Sequence, residues 1–131
     1  MSKEDRRSAP RFAVSLKGTI ATADDYISAI EVSNISSSGL QFIVAQAELP
    51  CIIPNISETN SLTPVKIELN FNLPESKKSI KISCGIVYIK IISIDQCRMG
   101  CRFEKFYRQS DLDLKEFIRH CTSYLEPLQI T

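Results

Sequence analysis

The 131-residue chain has no tryptophan and only one histidine. A zinc centre wants four ligands in paired short spacings, and one imidazole cannot supply them. No paired carboxylates or nucleophile motif stand in for it, so catalysis has no visible machinery, and neither metal nor cofactor is expected. Long apolar runs are missing too. No window approaches the roughly 18 residues a membrane span needs, which argues against membrane insertion. The first seven residues, MSKEDRR, lack the apolar core of a signal peptide, so cytoplasmic residence is the expectation. Charge of one sign is also lacking: 16 Lys and Arg face 15 Asp and Glu, for a net charge of +1. The molecule as a whole does not advertise a polyanionic partner. Without tryptophan, and with strands nearly balanced in charge, it has no basic groove interleaved with aromatics, so no nucleic-acid polymer is expected to bind.

Five cysteines are present, at 51, 84, 97, 101 and 121. Their odd number and irregular spacing do not make a disulfide scaffold. Buried free thiols are the ordinary reading.

What is present is unevenly placed. Lys3, Arg6, Arg7, Arg11 and Lys17 stand against only Glu4 and Asp5, so the basic character sits at one end. Three arginines crowd in just ahead of the first apolar run. A solubilising tail would look like this, and so would an arm that grips an anion.

The apolar pattern past residue 11 has a period of two, the mark of half-buried strands. RFAVSLKGTIAT, YISAIEVSNI, LQFIV, VKIELNFNL, SIKISCGIVYIKIISI and CRMGCRF follow one another with turns between. Gly85 is expected at a bend or bulge in the fifth run. Residues 45–64, with three prolines and no steady period, read as a long surface loop. Strands with hairpin-scale turns and no intervening helix argue for an all-β fold, a six- or seven-stranded antiparallel barrel. Leu114, Phe117, Ile118, Cys121, Leu125 and Leu128 then form a helical stripe. Ser110 or Asp111 is expected to cap that helix and Pro127 to end or kink it. The organisation is a flexible basic arm over 1–11 and one domain over 12–131, with the barrel at 12–109 and the C-terminal helix at 110–126.

Asn34-Ile35-Ser36-Ser37-Ser38-Gly39 breaks the second and third strands. Asn and Ser bond their own backbone in turns, and Gly39 supplies a positive φ where one is needed, so a plain corner explains it. The same residues also cluster polar atoms on a tight turn that a ligand can approach. Arginine suits a phosphorylated nucleotide, forking onto phosphate oxygens and reading guanine in bidentate fashion.

Here the chain resembles a known family. Arg7-Ser8-Ala9-Pro10-Arg11 matches the RxxxR pattern, and residues 34–39 the [D/N]xSxxG pattern, of PilZ domains. GIVYI and RMGCRF look like that family's late barrel strands, followed by its C-terminal helix. RxxxR alone is common and the six-residue pattern rarer, and the ordered pair on a barrel pattern is the specific signal. The resemblance implies a PilZ-type barrel that receives cyclic di-GMP. Arg7 and Arg11 would meet guanine edges and phosphates, Asn34 and Ser36 would hydrogen-bond the ligand, and Gly39 would let the backbone turn closely. Arg6, just ahead of the motif, resembles a basic residue that in the family accompanies two intercalated ligand molecules, hence an expected ratio of two. Tyr88 falls near a family aromatic that stacks on guanine, although packing on the barrel is the commoner fate of such a tyrosine. The resemblance also implies an arm that ligand orders, and an effector protein that reads the result. The alternative is a PilZ-like adaptor that binds proteins without cyclic di-GMP.

Overall fold

The computed structural model describes residues 9–54, 65–74, 76 and 78–124. Six strands occupy the runs that alternate: β1 (Phe12–Ala21), β2 (Ile27–Ile35), β3 (Gly39–Ala45), β4 (Val65–Asn72), β5 (Ser79–Ile91) and β6 (Gln96–Phe106). They close in the order β1-β2-β3-β6-β5-β4, and every neighbouring pair is antiparallel. Closure leaves no sheet edge at the seam and makes the inward face of each strand a core face.

Phe12, Leu16 and Ile20 of β1, Ile67, Leu69 and Phe71 of β4, and Cys97, Met99 and Cys101 of β6 are buried at alternate or every fourth position. The interior is therefore filled by side chains, and anything the barrel binds must sit on its outer face. Register breaks fall in β5 at Ser83/Cys84 and Ile86/Tyr88, so the irregularity flanks Gly85. A bulge re-aims the residues beyond it, and here it turns Tyr88 outward opposite Gly100.

Three expectations need correction. The segment after β3 is not surface loop throughout: a 3-10 turn, Gln46–Glu48, runs into the one-turn helix α1 (Leu49–Ile52). Pro50 sits in the first turn of α1, where its missing N–H costs nothing. The turn drives Ile52 and Ile53 into the core at 2% and 3% exposure. Residues 55–64 of that stretch lie outside the described residues. Of the five thiols, Cys51 is exposed while the other four are buried. The Ser110 hydroxyl does not cap the C-terminal helix α2 (Ser110–Tyr124) but accepts the Lys81 N–H of β5 at 2.9 Å. Strand β5 is thereby tied to the start of the helix. Asp111 Oδ1 accepts the Leu112 N–H at 2.9 Å.

Leu114 and Cys121 are buried from α2, with Phe117 and Ile118 packed partly against the core. Leu125, Pro127, Leu128 and the end of the expected helix lie outside the described residues. No helix among the described residues is long and apolar enough to cross a membrane.

Candidate functional site

The corner between β2 and β3 is built by Ser36. Its backbone N–H donates to the Gly39 carbonyl at 2.9 Å. Its Oγ accepts the N–H groups of Ser38 and Gly39 at 3.2 and 3.3 Å and donates back to the Gly39 carbonyl at 3.2 Å. At 1% exposure, this hydroxyl is engaged inside the turn it shapes. Gly39 is needed for a reason other than the expected one. No described glycine has positive φ. A Cβ at 39 would instead run into the Cys101 carbonyl oxygen of β6. The missing side chain lets the corner lie directly on β6, where the Phe103 N–H donates to the Ser38 carbonyl at 3.0 Å.

A register break at Val32/Asn34 sets Asn34 opposite Gln41. From there one row of outward positions crosses five strands: Ala13, Asn34, Gln41, Gly100 and Tyr88. Hydrogen bonds follow the row. Arg11 Nη1 donates to Asn34 Oδ1 at 3.0 Å, and Asn34 Nδ2 donates to Gln41 Oε1 at 2.5 Å. Gln41 Nε2 donates in turn to the Tyr88 hydroxyl. Every bond in this relay points the same way, so the phenol accepts from Gln41 and keeps its own proton to donate outward.

Gly100 makes the last link possible. A Cβ there would fall within the Tyr88 ring, 2.5 Å from Cζ and 2.7 Å from Cδ2. The bare backbone is a notch over which the ring lies to reach from β5 across β6 to β3. Tyr88 stays 38% exposed. Burial pushes its phenol above the usual tyrosine range, opposed by the positive charges of Arg11 and Arg98. Those two guanidinium groups therefore act on the same ring.

On β6, Arg98 and Arg102 flank Gly100 on the outer face. Among the described residues neither forms an ion pair. Nearby acids are engaged elsewhere: Glu31 accepts from Ser15 Oγ at 2.6 Å, and Glu104 pairs with Lys66 at 2.5 Å. The result is a shallow face with arginine donors, an amide, a phenol and a flat ring, suited to an anion carrying a planar group.

Of the residues singled out from sequence, Arg11, Asn34 and Tyr88 come together in one hydrogen-bonded row, and Ser36 and Gly39 form the corner beside it. Arg6 and Arg7 lie outside the described residues. Gln41, Gly100 and Arg98 went unnoticed. Their signal was outward position between buried neighbours, which requires the register to read. The groove of about 450 Å³ between α2, β1 and the β4–β5 turn, lined by Val14, Phe117 and His120, is separate from this face. No group of three metal-ligating side chains occurs among the described residues. Cys84 is no nucleophile: its hydrogen bond with Cys101 and its burial push the thiol far upward.

The fold is a small closed β-barrel with one C-terminal helix. The PilZ domain model matches residues 5–120, and the chain belongs to that family. The PilZ domain of YcgR from Escherichia coli, solved with c-di-GMP, superposes with a TM-score of 0.64 at 14% identity, covering 90% of this chain and 92% of that one. The Bacillus subtilis inhibitor of motility, MotI/DgrA, superposes at 0.63 with 16% identity, covering 91% of this chain and 52% of its own. The K. pneumonia MrkH–c-di-GMP complex superposes at 0.64 with 16% identity, covering 90% and 52%. The chain thus spans about half the length of the latter two proteins. At these identities the likeness is one of fold. A comparison with curated protein sequences returns no significant match.

Proposed function

We propose that this chain is a cyclic di-GMP receptor that works by binding and catalyses no reaction. The observation that carries the reading is the Arg11–Asn34 hydrogen bond of 3.0 Å, which joins the two sequence motifs on one face. In the structure Arg11 donates to a neutral amide oxygen. A phosphate offers the same fork an ionised acceptor and bidentate geometry, a stronger partner than the neutral amide oxygen. The arginine is thus parked at the site and exchanges a weak acceptor for a strong one when ligand arrives.

Arg7, four residues upstream, closes on the ligand from the arm, and Arg6 adds the charge that a second ligand molecule needs. Asn34 offers its amide to a guanine edge or phosphate. Ser36 and Gly39 hold the corner against β6 and so fix the place of Asn34 beside it. The Tyr88 ring offers a stacking surface. Closing of the arm ahead of Arg11 on the bound ligand then creates the surface that an effector protein reads.

Calorimetric titration with cyclic di-GMP tests this. The expected result is micromolar or tighter binding with two ligands per chain. Arg11→Ala should weaken it by about 1.5–3 kcal/mol, the cost of one charge-assisted contact. Saturation at one ligand would remove the role given to Arg6. No binding would leave the protein-only adaptor as the reading.

A further inference from the structure

Arg98 is the one buried side-chain nitrogen problem among the described residues. Its Nε is shut off from solvent with no hydrogen-bond partner. Such orphaned donors are rare in native structures and ask for an explanation. Arg98 also forms no ion pair with any described residue.

Its position gives the explanation. Arg98 pairs with Ile43 of β3 and Lys90 of β5, in the row next to Gln41, Gly100 and Tyr88. Glu31, the acid in that row, lies on the far side of Ile43 and accepts from Ser15 at 2.6 Å. Arg11 precedes β1 at its Ile35 end and so approaches the Tyr88 row from the side of the Ser36–Gly39 corner. Arg98 is two residues from Gly100 in the opposite direction. The two arginines therefore bracket the phenol ring, and each carries spare donors.

We infer that Arg98 is a further ligand-binding arginine of this face, gripping phosphate or guanine oxygens on the side of Tyr88 away from Arg11. The inference rests on the receptor reading above and adds a contact that neither motif contains. The buried Nε is a donor with no partner in the fold. An anion draws it out and satisfies that donor, so the residue costs stability in the free protein and returns it on binding.

Titration of the full chain with cyclic di-GMP, paired with thermal melting of the free protein, tests this. Arg98→Met keeps an unbranched stem and removes the charge and the fork. Affinity is expected to fall about tenfold or more, while the free variant melts no lower than the unsubstituted protein because an unsatisfied donor is gone. A merely structural arginine would do the reverse. Affinity within threefold of the unsubstituted protein overturns the assignment while leaving the receptor reading intact, provided Arg11→Ala still weakens binding. Should Arg98→Met fail to fold, Arg98→Lys decides: a several-fold loss supports the fork, and unchanged affinity overturns it. Absence of binding to the unsubstituted protein sinks the receptor reading and this inference together.

Discussion

Adding one methyl group at either of two glycines should have unequal consequences, because the obstacle differs. At Gly39 the new Cβ meets the Cys101 carbonyl oxygen, with the Arg102 Cα and the Cys101 carbonyl carbon both at 3.4 Å. All three are backbone atoms of a central strand and cannot step aside alone. Relief requires β3 to lift from β6 over the corner that Ser36 holds. Overpacking of this kind costs about 1–3 kcal/mol, occasionally more, and the Phe103 to Ser38 hydrogen bond of 3.0 Å is at risk as well. We expect Gly39→Ala to lose about 2–3 kcal/mol.

At Gly100 the obstacle is the Tyr88 ring, the far end of a side chain already 38% exposed. The ring swings away and the Gln41–Tyr88 bond is lost, at about 0.5–1.5 kcal/mol. Replacing a strand glycine by alanine recovers about 0.4–1 kcal/mol through the unfolded chain. Gly100→Ala should therefore stay within about 1 kcal/mol of the parent while freeing the ring. Urea unfolding followed by circular dichroism measures both variants, with unchanged m-values expected. Equal losses, or a larger loss at Gly100, would refute this account of how the two glycines position the site.

Three further outcomes follow from the same geometry. Ser36→Ala removes the acceptor for two N–H groups of the corner and should cost about 1–3 kcal/mol by the same unfolding measurement. Ligand affinity should be flat from about pH 6 to pH 8, since burial moves the Tyr88 phenol upward, away from that window; a titration series showing a step within it would contradict the site composition. Stability should decline above about pH 9, because the unfolded Cys84 thiol ionises near its ordinary 9.0 while the folded one is held far higher. The folded state then binds more protons than the unfolded one, so stability present below that range is lost as pH rises, and Cys84→Ala should make the decline shallower in pH-dependent melting.

Much of this was legible from local pattern. The alternation of Ile67, Leu69 and Phe71 gave β4 because a barrel strand shows one face to the core and one to solvent. The Asn34–Gly39 corner announced itself through turn chemistry. Other features depended on partners distant in sequence. Residues 46–53 read as loop because proline and irregular spacing mask a single helical turn, and only the barrel end explains why Ile52 and Ile53 go inward. Gly39 suggested a backbone angle, whereas the actual constraint is a carbonyl on β6, 62 positions along the chain. Ser110 looked like a helix cap until the Lys81 N–H claimed its hydroxyl. Gln41 and Gly100 belong to the site only through the β3–β6–β5 register, which no local window contains.

The most direct test follows the amide signals of residues 5–11 and 34–41 by NMR as cyclic di-GMP is added to the intact chain. The account predicts that both groups shift together and saturate at the same ligand concentration, with the Arg11 and Gln41 side-chain signals moving as the Arg11–Asn34 bond gives way to phosphate. Shifts confined to one group, or none in either at millimolar ligand, would contradict a shared grip by the arm and the corner.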